Sequence, residues 1–365
     1  MGLNAANETF REQLLQHVPE DVLRAPSDAY LKEPRGRYDG AGGILSLPRT
    51  TDEVRALVEV AARARVGVVP YGGGTGLVGG QIMSDGPAPL IISLERIDRI
   101  RAIHPDENVM IAEAGAILAN VQEGARAVNR LFPLSLASEG SVRIGGALAT
   151  NAGGVNVLRY GNTRDLCLGL EVVLPSGAVW HGLSRLRKDN TGYDLKNLIV
   201  GAEGTLGIIT AASLKLSPVP AETGTALFVV PSPHAALGLL SMARDHLGEA
   251  VSAFELIHRQ GLEFLSETMP KLAQPFADKP EWCVLIDIGL AKGTSPQTSL
   301  VDLFEAASDA GFASDGIIAQ SQGQRSALWS VRESIPEANR RIGSVSSHDI
   351  SIPIGSIPEF IATAP

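Results

Sequence analysis

Pro70-Tyr71-Gly72-Gly73-Gly74-Thr75-Gly76-Leu77-Val78-Gly79-Gly80 places six glycines within nine residues, directly after the apolar run 66–69. Without Cβ atoms such a stretch reaches φ > 0 at several positions and turns its N–H groups inward, which makes a concave nest for an anion. The competing reading is a flexible linker, but linkers are Ser- or charge-rich and sit at changes of composition. Two familiar glycine loops are excluded. A Walker loop closes on Gly-Lys-Ser/Thr, and here Leu77 follows Gly76. A dinucleotide fingerprint opens straight into a helix, which Gly79, Gly80, Gly86, Pro87 and Pro89 forbid. The stretch therefore reads as a phosphate cradle on a scaffold that is not a Rossmann fold.

Two further glycine-rich blocks follow. Residues 133–154 are dominated by small side chains and contain Ile144-Gly145-Gly146 and Thr150-Asn151-Ala152-Gly153-Gly154. Such composition lets backbones, or a flat ligand, approach closely. Tight helix-on-sheet packing explains Gly145-Gly146 equally well. The third block, Gly201-Ala202-Glu203-Gly204-Thr205-Leu206-Gly207-Ile208-Ile209-Thr210, leads into a strand expected over 211–216.

Between and around these blocks the periodicity gives a coarse map. A short amphipathic helix carries Phe10, Leu14, Leu15 and Val18, and 1–40 reads as a lead-in. A strand over 44–47 precedes a helix with a capping box at Thr50-Thr51-Asp52-Glu53, an apolar face of Val54, Leu57, Val58 and Ala61, and an end at Gly67. Strands are expected over 66–69, 90–94, 100–104 and 109–114, and a helix over 116–130. Pro218 and Pro220 mark a boundary, beyond which strands over 227–230, 251–255 and 282–288 alternate with helices over 233–246, around 262–265 and over 299–310. A helical segment over 325–341 is expected to break at Pro336, followed by a strand over 346–353 and an apolar stripe of Ile357, Phe360 and Ile361.

At 365 residues, 44% hydrophobic and 19% charged, the chain has material for two domains with real cores. A net charge of −9 argues against nucleic acid as the main partner, because phosphate neutralisation needs a Lys/Arg surface. Cys167 and Cys283 are too few for a disulfide framework or a zinc site and read as core thiols in a reducing compartment. No apolar h-region precedes Val18 and no window reaches membrane length, so no membrane span and a cytoplasmic location are expected.

The ordered set of three glycine blocks resembles the flavoprotein superfamily of vanillyl-alcohol oxidase type. The likeness is greatest to its FAD-linked 2-hydroxy-acid dehydrogenase branch: glycolate oxidase flavin subunit, D-lactate dehydrogenase and D-2-hydroxyglutarate dehydrogenase. The resemblance implies an α+β fold: a two-subdomain FAD-binding (PCMH-type) domain over 41–218, then an α+β substrate (cap) domain over 219–365 that looks C-terminally incomplete. It implies cofactor contacts from Tyr71, Gly72, Gly73, Gly74, Thr75, Gly76, Leu77 and Gly79 at the pyrophosphate. Pro133, Leu136, Gly140, Ser141, Ile144, Gly145, Asn151, Gly153 and Gly154 would line the flavin and ribityl chain, and Glu203, Gly204, Gly207, Ile208 and Ile209 the adenine and ribose. Some relatives attach FAD through a His at the place held here by Thr75, which cannot form that bond, so non-covalent FAD is expected.

The resemblance also implies chemistry. Flavin takes a hydride from a carbon bearing a hydroxyl, and a guanidinium fork fixes the substrate carboxylate. Arg332 matches the family's substrate arginine; the alternative is a surface arginine. His348 offers a base, though a lone His also reads as structural. Pro336 and Ser347 stand where many 2-hydroxyglutarate members carry Thr and Lys. The His-Gly-His-x-Gly-Asp-Gly-Asn stretch of relatives does not occur, so a divalent metal would need ligands beyond residue 365. The expected partners are a small 2-hydroxy acid (D-lactate, glycolate or D-2-hydroxyglutarate) and an electron-carrier protein or quinone, with a homodimer left open. Two other readings stand beside this: a non-redox flavoenzyme of alkyl-dihydroxyacetone-phosphate synthase type, and a flavin-binding subunit without turnover.

Overall fold

The computed structural model describes residues 2–343 and 348–364. The chain divides into two compact units, the first formed by Met1–Gly154 and Gly161–Val219, the second by Val155–Tyr160 and Pro220–Pro365. The residues of the expected lead-in lie in the first unit, and its short helix is Glu8–Leu14, with Phe10 and Leu14 buried.

The first unit holds two main sheets. In one, β1 (Leu23–Arg24), β2 (Ile44–Ser46), β3 (Val68–Tyr71) and β4 (Leu90–Ser93) take the order β1-β2-β4-β3, with β2, β4 and β3 parallel. Parallel neighbours need a crossover, and the helix Thr51–Ala64 supplies it between β2 and β3. Thr50 caps this helix by accepting from Glu53 N–H, while the Glu53 carboxylate turns back to Arg49 N–H at 2.6 Å. The helix ends before Gly67: Arg65 adopts the left-handed cap at φ 55° and its N–H closes onto Ala61 and Ala62 carbonyls.

The second sheet is antiparallel throughout: β5 (Ile100–His104), β6 (Val109–Glu113), β8 (Cys167–Val173), β9 (Val179–Gly182) and β10 (Ile208–Lys215), in the order β5-β6-β10-β8-β9. A small ribbon pairs β7 (Arg130–Leu131) with β11 (Ser217–Pro218). β8 and β9 are additions to the sequence map. β10 begins at Ile208, directly out of the third glycine block, so that block is the turn that feeds the strand.

The second unit is a four-stranded antiparallel sheet of β12 (Glu222–Val230), β13 (Val251–His258), β14 (Trp282–Leu290) and β15 (Asp315–Ile318), ordered β13-β14-β12-β15. Side chains alternate across a strand. Val284, Ile286 and Ile288 of β14 therefore meet Leu239, Leu300 and Leu303 of the helices Pro233–Leu247 and Pro296–Asp309 on one face. Cys283 and Leu285 meet Leu262, Leu265, Leu328 and Val331 of the helices Arg259–Thr268 and Gln322–Ile342 on the other. With both faces covered, the strand reads as an apolar run over 282–288 interrupted only by Asp287.

The expected break at Pro336 does not occur; the helix runs unbroken over Gln322–Ile342. Pro336 withholds a donor from the carbonyl four residues back, that of Arg332. Leu328 and Val331 before it and Ala338 after it are buried, and that packing holds the helix across the proline. Of the strand expected over 346–353, residues 346 and 347 lie outside the described residues, and 348–353 form no strand. The stripe beyond it becomes a short helix, Ile357–Thr363.

Candidate functional site

The three glycine blocks come together in the first unit. A Cβ on Gly72 would lie 3.3 Å from the Gly146 Cα, and one on Gly73 only 2.2 Å from the Ser141 carbonyl oxygen, so the first block rests on the second, backbone against backbone. The second holds the third through Gly201 N–H to Leu148 O (3.0 Å) and Glu203 N–H to Ala149 O (2.9 Å). The third returns to the first, since a Cβ on Gly204 would meet the Pro70 ring at 2.8 Å. Side chains on these glycines would force the runs apart.

Within the first block the backbone donors are uncommitted. Among the described residues no N–H from 72–80 donates to a protein acceptor, whereas the carbonyls of Gly74 and Gly76 accept from the Gln81 amide at 3.4 and 2.8 Å. Buried or half-buried backbone donors are almost always paired, so a half-buried loop with a continuous row of open donors has the chemistry of an anion site. Gly74 (φ 68°) and Gly79 (φ 79°) supply the left-handed turns that form the concavity.

Tyr71 supports the loop from below. Its hydroxyl donates to Ala29 O at 2.9 Å and its ring packs on Tyr30, 4.9 Å between centroids. A Cβ on Gly74 would sit 2.1 Å from that hydroxyl, so Gly74 is bare because Tyr71 lies beneath it. Thr75 and Gly76 are half-buried, and Leu77 is exposed.

The other expected contacts divide by burial. Ile144, Gly145, Gly207, Ile208 and Ile209 are buried; Gly145 lies against Ala114, and Gly207 (φ 157°) against Val172. Their side of the blocks is packing. Gly140, Ser141, Gly153 and Glu203 are exposed, and Leu136, Asn151, Gly154 and Gly204 half-buried, on the open side; Pro133 is buried. Gly154 touches the Ser135 carbonyl, which closes the second block on itself. Asn151, at φ 48°, accepts from Arg164 N–H at 2.9 Å, and the Arg164 guanidinium donates to Val200 O at 2.7 Å. Arg164, absent from the sequence reading, thus ties the second block to the third.

Arg332 and His348 belong to the second unit. Arg332 lines a cavity of about 500 Å³ with Glu255, Leu256, Ile257, His258, Gln260, Gly261, Phe264, Ile335, Pro336 and Asn339. Its Nε and Nη2 both reach Glu255 Oε2, at 2.8 and 2.7 Å. Arg332 is therefore a half-buried, paired cation in a concave site. His348 is exposed and is not among the residues lining that cavity; Ser347 lies outside the described residues.

Sequence reasoning missed two buried charge networks. In the first unit Arg101 bridges Glu171 (2.9 Å) and Glu113 (3.0 Å), and Thr51 and Thr210 each donate to Glu171 at 2.8 Å. Burial alone would raise the Glu171 pKa, but the hydrogen bonds from Arg101, Thr51 and Thr210 outweigh it and hold the carboxyl at about 2. In the second unit Asp287 receives Arg325 Nη2 (2.9 Å), Trp329 Nε1 (3.2 Å) and Thr225 Oγ1 (2.5 Å). The available signal was a lone carboxylate inside an apolar strand, Glu171 in β8 and Asp287 in β14. Both cysteines are buried, and burial pushes each thiol up to about 12, which suits inert core residues.

The cradle fits the phosphates of a dinucleotide through its row of open backbone donors, and exposed Gly140, Ser141, Gly153 and Glu203 leave surface on the second and third blocks for the rest. The domain family described as FAD binding domain matches residues 44–182, and that of FAD linked oxidases, C-terminal domain, matches 219–364; FAD is the cofactor. D-2-hydroxyglutarate dehydrogenase, mitochondrial, of Arabidopsis thaliana is 35% identical over 326 residues, 89% of this chain and 58% of that protein. The mitochondrial enzyme of the same name from Bos taurus is 35% identical, over 94% of this chain and 61% of its own length. D-2-hydroxyglutarate–pyruvate transhydrogenase DLD3 of Saccharomyces cerevisiae is 31% identical, over 93% and 67%. The chain thus spans under two thirds of the first two relatives.

Among solved structures, alkyldihydroxyacetonephosphate synthase superposes with a TM-score of 0.76 at 19% identity, covering 99% of this chain and 75% of that one. p-Cresol methylhydroxylase does so at 0.66 and 13%, covering 92% and 71%. Likeness at that identity speaks for the fold alone, and the non-redox alternative gains nothing from it. The expected cytoplasmic location is overturned, because the plant and bovine relatives are named mitochondrial enzymes. Charge balance and cysteine count do not distinguish one reducing compartment from another. With both halves matched in order and relatives above 30% identity along nearly its whole length, the chain belongs to the FAD-linked 2-hydroxy-acid dehydrogenase family.

Proposed function

We propose that this chain takes part in the FAD-dependent oxidation of a small D-2-hydroxy acid, of the D-lactate, glycolate or D-2-hydroxyglutarate type, to the 2-oxo acid. The observation that carries the reading is Arg332: a guanidinium oriented by Glu255 in a concave site, in a chain whose relatives are named for D-2-hydroxyglutarate. FAD, when bound, supplies the acceptor for the hydride leaving the hydroxyl-bearing carbon. The residues of 72–80 would hold the pyrophosphate on backbone N–H groups, and the exposed positions of 133–154 and 201–207 would receive the rest of the nucleotide. Arg332 fixes the substrate carboxylate, and His348 is the proposed base for the hydroxyl proton. Thr75 leaves the flavin dissociable. Electrons pass to a carrier protein or a quinone, and a homodimer is the proposed assembly.

Purified protein should carry flavin that acid precipitation releases into the supernatant. Anaerobic addition of D-lactate or D-2-hydroxyglutarate should bleach the flavin bands, and the L-enantiomers should not. Flavin that no hydroxy acid bleaches would favour a flavin-binding chain without turnover. Arg332→Lys should retain flavin and weaken substrate binding about tenfold or more, since a point charge replaces a fork.

A further inference from the structure

We infer that Glu255 is a positioning residue for Arg332, holding the guanidinium by one edge so that its other edge faces the cavity for a substrate carboxylate; this rests on reading Arg332 as the carboxylate clamp. Both contacts run to a single oxygen: Nε donates to Glu255 Oε2 at 2.8 Å, and Nη2 stands 2.7 Å from that same oxygen as an ion pair. These two N–H groups form the side edge of the guanidinium. Among the described residues, Nη1 has no hydrogen-bond partner and Glu255 Oε1 accepts none. The end fork, built from Nη1 and the remaining Nη2 hydrogen, is therefore open, and it is the edge that matches a carboxylate with two parallel bonds.

The two residues come from different elements, Glu255 from β13 and Arg332 from the helix Gln322–Ile342, and both line the cavity. Their side chains are 23% and 30% exposed, so the pair is sheltered yet reachable. A free arginine stem loses considerable rotamer entropy when a ligand fixes it. With the side edge already held, less of that loss falls on substrate binding. Glu255 also carries a charge of the same sign as the substrate. Its benefit must then come from reach and geometry, because its charge opposes the substrate's.

That separates the roles by rank. Glu255→Gln keeps the length and offers an amide oxygen that can accept both N–H groups, whereas Glu255→Asp keeps the charge and loses the reach. For D-2-hydroxyglutarate and D-lactate titrated into the flavin-loaded full chain, Glu255→Gln should weaken binding by no more than about threefold, and Glu255→Asp and Glu255→Ala by about tenfold or more, with flavin content unchanged. In turnover the change should fall on KM, leaving kcat nearly constant. Combined with Arg332→Lys, Glu255→Ala should add little. If Asp binds as wild type and Gln is the weak variant, or if the losses follow thermal stability alone, the positioning role is overturned while the clamp stands. If Glu255→Asp does not fold, the contrast between Gln and Ala decides in the same way. If Arg332→Lys leaves binding unchanged, or the wild-type chain binds neither acid, the clamp itself fails and this role falls with it.

Discussion

Gly73 and Ser141 meet at the backbone: a Cβ added to Gly73 would stand 2.2 Å from the Ser141 carbonyl oxygen. The absent side chain is thus required by the neighbouring backbone turn at Ser141 as much as by any phosphate. The first glycine block keeps its curvature because the second presses against it.

Gly73→Ala should therefore lose most of its flavin and also cost stability, by about 1–3 kcal/mol of overpacking. Gly146→Ala is the contrast, since its Cβ would find only the Gly72 Cα, at an ordinary 3.9 Å. Flavin absorbance per protein and the denaturation midpoint read both effects. A Gly73→Ala protein with full flavin and wild-type stability would mean that the two blocks do not abut.

Glu171 should make the protein acid-sensitive in a defined window. Its folded pKa of about 2 lies below the ordinary 4.5, so its contribution is complete above about 4.5 and is lost as pH falls towards 2. The shift corresponds to roughly 3 kcal/mol. The stability gap between wild type and Glu171→Gln should be wide at pH 7 and close between pH 4.5 and 2 in urea titrations. A gap that stays constant over that range would show that the carboxylate charge is not what Arg101 holds.

Asp287→Ala should destabilise the second unit by about 3 kcal/mol or more, because the Arg325 guanidinium loses its bidentate partner in a sheltered site. Thr225→Ala, removing one donor to the same carboxylate and one acceptor for Arg325 Nε while leaving the ion pair, should cost only about 1–2 kcal/mol. Equal losses for the two variants would indicate a packing effect instead of an ionic one.

The legible parts of this fold are those with local causes. Bare glycines in ordered runs advertise close backbone approach, and residues 226–230 of β12 and 282–286 of β14 announce themselves as continuous apolar runs because helices cover both faces. Pro336 misled because the lost donor is local, whereas the packing of Leu328, Val331 and Ala338 that offsets it is not. β8 was hidden by Glu171, a charge that reads as surface until its partners are known. Those partners lie far off in sequence: Thr51 is 120 residues away and Arg101 70. Glu255 was unreadable for the same reason, since its role exists only when β13 faces a helix 77 residues later.

Residues 155–160 leave the first unit at Gly154 and rejoin it at Gly161, and in between they belong to the second. Arg159 anchors that excursion by donating to Gly289 O at 2.8 Å and, more weakly, to Ser252 Oγ and Ala250 O at 3.3 and 3.4 Å. The chain is therefore laced rather than strung. A single cut at residue 219 would release a C-terminal piece that lacks one of its own stitches, so neither half can be exchanged with a relative's by swapping one contiguous segment.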